Sequence, residues 1–378
     1  MEILLGLRPA RARIDLDRLA ANYAAVAEYA QVPLMPVVKA DAYGHGAPAV
    51  ARRLVREGAA LLAVAYPEEG AELRAARIDV PLVVLAGFAP AQVPLLVRDR
   101  LTPIVSTAEQ LEALLAAAER PPVAHVKVDT GMSRLGFMAE AFLEASQRLA
   151  DAGVEVAGAL THLASADESS GTTAYQLDRF DAALDGLDRR GLRPRFVHAV
   201  NSAGLGAIRP RHTLARPGLL LYGLKTRPLS PDLEVRPVMT VSADISLVKD
   251  LPAGTPVSYG GRFTTSRPSR IATVPLGYAD GVPRTAAMGE RGSLAVRGRR
   301  ARVAGTVCMD LTMLDVTDDG AVREGDEAVL FGDEPTAWDV ADWAGTTAWH
   351  VLTSVGPRVP RVYVEGGRIV EVKSRFEP

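Results

Sequence analysis

The chain has 378 residues, 48% of them hydrophobic, a formal net charge of -2 and one cysteine, Cys308. That length exceeds a single ordinary core and suggests two domains, one of them a barrel of about 200 to 250 residues. The near-neutral charge gives no basic field for nucleic acid and no polybasic membrane patch, and a lone cysteine excludes intrachain disulfides and thiolate metal clusters, so no metal site is expected.

Residues 1–13 carry no long apolar core or cleavage motif, and no apolar run approaches the roughly 20 residues that span a bilayer, so a cytoplasmic protein acting on small molecules is expected. Asp17 is placed to cap a helix through about Tyr29. Apolar runs then fall near 34–38, 61–65, 81–85, 102–105, 123–128, 156–161, 195–200 and 213–215, and helical spacing fills 47–57, 67–77, 107–119, 139–152 and 173–190. Eight strands joined by crossover helices form an α/β pattern, that of a TIM-like (β/α)8 barrel. An open three-layer sheet is the alternative, although no GxGxxG turn follows the first strand. Beyond Leu233 the runs become β-rich, at 238–248, 271–275, 293–296, 302–308, 311–316 and 361–364, with one helix near 336–344. The expected division is a barrel over 1–233, whose first residues could pack on the β domain, and a mostly β domain over 234–378.

The stretch Pro36-Val37-Val38-Lys39-Ala40-Asp41-Ala42-Tyr43-Gly44-His45-Gly46 stands out. A short buried strand ends on a lysine, and an ammonium in an apolar interior must be neutralised, paired or covalently occupied. Two glycines then permit a tight turn before a helix near Ala47. A salt-bridged lysine satisfies this; so does a covalent attachment site for pyridoxal 5'-phosphate (PLP). The chain uses arginine for nearly all its positive charge and has five lysines, Lys39, Lys127, Lys225, Lys249 and Lys373, which favours a use of the amine itself at Lys39 and Lys127. In a barrel, chemistry sits just after the strands. There stand Lys39 and Tyr43, Lys127 with Arg134 behind it, His162, Asn201-Ser202, and Arg216-Pro217-Gly218. Ser202 at a helix start and Gly218-Leu219 in a turn suit a phosphate dianion.

The stretch from Pro36 to Gly46 resembles the PLP-attachment signature of alanine racemases, and the likeness runs along nearly the whole chain. It implies PLP on Lys39, with Tyr43, Ser202, Gly218 and Leu219 holding the phosphate and His162 and Asn201 beside the cofactor. It places Arg216 at the pyridine nitrogen, where a guanidinium can only donate, which leaves the ring unprotonated and favours returning a proton to the same carbon. Lys39 would be one base and Tyr259 the other, its phenol helped to ionise by His162 hydrogen-bonded to Arg216. The family brings Tyr259, the backbone of Met309 and the entrance residue Tyr278 from the other subunit, so a homodimer with shared sites is implied. Arg134 would hold the substrate carboxylate or the cofactor's phenolic oxygen. Lys127 matches a lysine carbamylated in some relatives; a pair with a carboxylate is the other reading.

The implied activity is interconversion of L- and D-alanine, with D-alanine destined for cell-wall peptidoglycan. The rivals are a broad-specificity racemase, a decarboxylase of the barrel-plus-β type, which should carry a carboxylate in place of Arg216, and a non-catalytic PLP carrier, which has no use for the domain holding Tyr259. Trp349-His350 departs from the family's usual Tyr-Glu, which puts the pocket size there in question.

Overall fold

The computed structural model describes residues 8–168, 171–208, 212–228, 232–287 and 291–376. Two compact units emerge: one takes Leu19–Ala42 and Gly46–Val235, the other the described parts of Met1–Arg18, Tyr43–His45 and Arg236–Pro378.

In the first unit, strands Leu62–Val64, Leu82–Val84, Leu101–Val105, Val123–Lys127, Glu155–Leu160 and Phe196–His198 pair in parallel in chain order. Single bridges add the segments at 34–38 and 213–216: Val37 pairs with Ala63, Leu34 with Ala215, and Asn201 with Arg216. These bridges close the ring, giving the eight segments of a TIM-like barrel. Leu62–Val64 and Leu82–Val84 are buried throughout. Continuous apolar runs are what parallel strands covered on both faces require. Crossover helices Ala47–Arg56, Pro67–Ala75, Ala108–Ala116, Ala139–Asp151 and Thr172–Arg189 lie where their periodicity predicts. A further helix, Val93–Arg98, is too short for a periodic signal.

The two glycines predict a tight turn after Lys39, but the turn begins earlier and is left-handed. Ala40, Asp41, Ala42 and Tyr43 all have φ between 52 and 54°, and Gly44 follows at 81°. Left-handed backbone costs roughly 1–2 kcal/mol for each non-glycine residue, so this run needs ties to hold it. The Ala42 N–H donates to the Val38 carbonyl at 2.9 Å and the Gly46 N–H to the Asp41 carbonyl at 2.9 Å. Two carboxylates add to these: Glu69 Oε1 accepts the Ala40 N–H, and Asp41 Oδ1 accepts the Ala47 N–H, both at 2.7 Å.

The second unit is built on a ten-stranded sheet. Its order is Arg368–Lys373, Arg361–Glu365, Ala10–Asp15, Met239–Asp244, Glu327–Phe331, Ser293–Val296, Arg299–Val303, Thr312–Asp315, Ser269–Val274 and Leu247–Leu251. The run expected at 238–248 is two strands, because the Ile245 N–H bonds to Asp326 while the Ser246 N–H bonds to Thr273, so the backbone changes neighbours there. The run at 302–308 also divides. Arg299–Val303 is the strand, and the rest is a loop in which Gly305, at φ 82°, lies against the Val257 carbonyl. A second helix, Ala348–Thr353, follows the expected one at Ala337–Ala344. Among the described residues no helix is long and apolar enough to cross a membrane.

Candidate active site

At the strand ends of the barrel, Arg216 is the centre of the hydrogen bonding. Only 3% of it is exposed. Nη1 donates to Nδ1 of His198 at 2.7 Å and to the His198 carbonyl at 2.6 Å. Nη2 donates to the Thr161 carbonyl at 2.8 Å, the Ala199 carbonyl at 3.0 Å and Nδ1 of His162 at 3.4 Å. Every one of these acceptors is neutral or held neutral, and none is a carboxylate. Burial alone lowers the guanidinium's affinity for its proton, to a pKa of about 9. Its Nε–H has no acceptor among the described residues.

His198, not singled out from the sequence, passes this contact on to a second buried histidine. His198 Nε2 and His125 Nδ1 are 3.0 Å apart. Gly158 makes the room, since a Cβ there would lie 2.3 Å from the His125 ring. In sequence both histidines look like ordinary members of the 123–128 and 195–200 runs; the polar residue within an apolar strand was the available signal. Burial and the Arg216 charge push His162 to about 2. His162 is therefore neutral, and the positive charge in this group is that of Arg216.

Lys39 is half-buried, and its pKa lies below the usual lysine value because of burial and the Arg134 charge, with Glu69 acting the other way. Lys127 is 5% exposed, and burial with the Arg134 and Arg216 charges lowers it to about 8. Its amine makes no ion pair with a carboxylate among the described residues. Arg134 is exposed and gives no hydrogen bond to a described residue. Its loop is well fixed all the same. Asp129 Oδ1 accepts the N–H groups of Gly131, Met132 and Ser133 at 2.9, 3.0 and 3.1 Å, and Phe137 pairs back onto Lys127 and Asp129. Gly136 is required there, since a Cβ would sit 2.7 Å from the Asp129 nitrogen.

Asn201 caps the helix Ser202–Ala207, its Oδ1 accepting from the Gly204 N–H at 2.8 Å, while its Nδ2 lies 3.5 Å from His162 Nε2. Ser202 Oγ accepts the Gly218 N–H at 2.9 Å, which brings the helix start and the turn together; the Leu219 N–H keeps no described acceptor. Burial pushes the Tyr43 phenol up to about 12, so it stays protonated and can donate.

The second unit gathers Tyr259, Tyr278 and Met309 around one open cleft, with Arg284, Thr306, Cys308 and Asp310. Tyr259 is 73% exposed, Met309 52% and Tyr278 41%. The Thr306 hydroxyl donates to the Tyr259 carbonyl at 3.0 Å, and the Tyr278 N–H to the Cys308 carbonyl at 3.0 Å. Gly277 admits the loop of Met309, whose carbonyl oxygen would be 2.2 Å from a Cβ. Beneath the cleft, the fully enclosed Asp280 is held by Arg8 and Arg358, and Arg358 also pairs with Asp310 at 2.7 Å. Trp349 packs edge-on against Trp338 with centroids 5.8 Å apart.

Families described as "Alanine racemase, N-terminal domain" and "Alanine racemase, C-terminal domain" match residues 14–226 and 238–363. The chain belongs to the alanine racemase family. A curated alanine racemase of Halothermothrix orenii is 42% identical over 371 residues, covering 94% of this chain and 97% of that protein. Among solved structures, alanine racemase of Clostridium difficile 630 superposes with a TM-score of 0.90 at 33% identity, covering 97% of this chain and 98% of that one. The Bacillus anthracis enzyme with bound L-Ala-P gives 0.89 at 30% identity, with the same coverage.

Proposed function

We propose that the chain racemises alanine with PLP attached to Lys39, using Lys39 and Tyr259 as bases on opposite faces of the substrate's Cα. The observation that carries this reading is Arg216. A buried guanidinium surrounded by neutral acceptors, with its Nε–H left over, suits a ligand atom that accepts a hydrogen bond without being protonated, as a pyridine nitrogen does. The other residues fit the same group: an amine below its usual pKa at Lys39, a free N–H at Leu219 beside Ser202 and Gly218, and a protonated phenol at Tyr43. His162 and Asn201 complete the cofactor's surroundings.

When bound, PLP supplies the electron sink that acidifies the substrate's Cα–H. The protein does the rest. The lowered pKa of Lys39 raises its share of neutral amine, the form that attaches cofactor and takes a proton. Arg134, without a described partner, offers its bidentate fork to the substrate carboxylate. Lys127 supports a carbamylated reading, since burial and the Arg134 and Arg216 charges outweigh the opposing charge of Asp129 and lower its amine to about 8, and the amine makes no close ion pair with a described carboxylate. Such a carbamate would supply the anion that orients Arg134.

In this reading the working form is a homodimer, and Tyr259, Tyr278 and the Met309 backbone serve the barrel of the other subunit. Their exposure on the chain's own surface supports that role. D-alanine made in the cytoplasm would feed cell-wall peptidoglycan. The test is polarimetry of pure L-alanine with the purified, PLP-loaded protein, run beside L-serine and L-lysine. Rotation should vanish for alanine; persistence there, with loss for serine or lysine, would replace alanine as the substrate.

A further inference from the structure

We propose that Glu69 is a positioning residue for Lys39, its carboxylate pinning the first peptide of the left-handed turn and so setting the direction of the lysine side chain. The inference rests on the reading that Lys39 anchors PLP. Glu69 Oε1 accepts the Ala40 N–H at 2.7 Å. That N–H belongs to the peptide whose carbonyl is Lys39's own, so holding it fixes ψ of Lys39 and with it the Cα–Cβ bond. Glu69 Oε2 accepts the N–H groups of Ala65 at 2.5 Å and Tyr66 at 3.3 Å. These residues leave the strand Leu62–Val64, whose Ala63 bridges Val37. One carboxylate thus ties the turn after the first barrel segment to the end of the second.

The turn needs such a tie, because Ala40 sits at φ 53°, ψ 53° and the three residues after it are also left-handed without being glycine. Asp41 holds the far end from within the turn, whereas Glu69 reaches in from another helix. Glu69 is also an anion close enough to Lys39 to oppose the effects of burial and of Arg134 on the amine. Glu68, at the same helix start, accepts instead from Gln92 at 2.5 Å. It serves as an internal control.

The experiment compares wild type, Glu68→Ala, Glu69→Ala and the double variant Glu69→Ala/Ala40→Gly, measuring PLP loss by dialysis and absorbance together with kcat and KM for alanine. Glu69→Ala should lose PLP about tenfold faster and lower kcat about tenfold, since misplacing a reacting group by a fraction of an ångström carries penalties of that order. KM should move much less, because Arg134 is untouched. Ala40→Gly should recover about threefold of both losses, since glycine takes positive φ without strain and needs the tie less. A residue that only capped its own helix would show no such recovery. Should Glu69→Ala fail to fold, Glu69→Gln replaces it: the amide oxygen can accept on one side only, so a smaller loss is expected, again relieved by Ala40→Gly. Unchanged PLP retention and kcat, or losses that Ala40→Gly leaves in place, would overturn the proposal. Borohydride reduction of wild type separates the two levels: pyridoxyl on Lys39 with unaffected variants sinks the role of Glu69 alone, whereas label elsewhere sinks the anchor assignment and this inference with it.

Discussion

Arg216 donates from Nη1 to Nδ1 of His198 at 2.7 Å, and this one contact fixes the tautomers of two buried histidines. His198 must carry its proton on Nε2, which then donates to Nδ1 of His125 at 3.0 Å. Burial and the Arg216 charge hold both rings below the ordinary histidine range, His125 at about 3, so neither competes with Arg216 for a proton near neutrality.

Arg216→Glu should therefore change the outcome of the reaction as well as its rate. A carboxylate would accept from a protonated pyridine nitrogen and stabilise it, which lengthens the life of the substrate carbanion and allows the proton to return elsewhere. Racemisation should fall by about a hundredfold or more, a typical loss when a group placed for the transition state is removed. The decisive quantity is the ratio of pyruvate to D-alanine formed, which should rise. A folded, PLP-bound variant with an unchanged ratio would show that Arg216 does not control the ring nitrogen.

Asp280→Asn should destabilise the protein at neutral pH by about 2 kcal/mol, by leaving Arg8 and Arg358 facing a neutral amide. Burial opposes the charge of Asp280, but hydrogen bonds from Arg8, Arg358 and the Gly277 N–H outweigh it and hold the carboxyl below its usual range. A depressed carboxylate contributes stability that is complete above the unfolded pKa, about 3.9, and is lost as pH falls through the folded one. Denaturant midpoints of wild type and variant should converge on acidification below about pH 4. A gap of constant size down to the folded pKa and beyond would mean the carboxylate's charge is not the source.

Lys127 should take up carbon dioxide in a pH-dependent way. Only the neutral amine attacks, and with its pKa near 8 the reactive fraction grows as pH rises through that value. Carbon-13 bicarbonate should give a carbamate signal that strengthens from mildly acidic to mildly basic solution and is missing in Lys127→Ala. Absence of the signal in wild type throughout that range would leave Lys127 as a simple amine.

Much of the barrel was legible because its segments are short, apolar and spaced by amphipathic helices, a pattern that a parallel sheet imposes on sequence. The lysine at the end of 34–38 was legible for the same reason, as a cation where an apolar strand should simply stop. The left-handed turn was not. Ala40, Ala42 and Tyr43 have no local preference for positive φ, Asp41 alone among them tolerates it, and the Ala40 N–H is held by Glu69, 29 residues away. His125 and His198 were hidden by their neighbours, since only the fold brings them in line behind Arg216. The ties of Asp280 to Arg8 and Arg358 span 272 and 78 positions, and no spacing rule reaches that far. Helix Ala348–Thr353 escaped notice because it is six residues long and contains Trp, Val and Thr, which are indifferent helix formers.

Lys39 and Tyr259 are proposed to act together in one site while belonging to different subunits, and mixed dimers test this most directly. Lys39→Ala and Tyr259→Phe, each expected to be inactive alone, are co-expressed and the dimers purified without separation. In a mixed dimer one site holds both defects and the other neither, so random pairing should restore about a quarter of all sites. Alanine racemisation near a quarter of the wild-type rate is the predicted result. Activity no greater than the sum of the two pure variants would contradict the account, placing both bases on one chain or removing one of them from the chemistry.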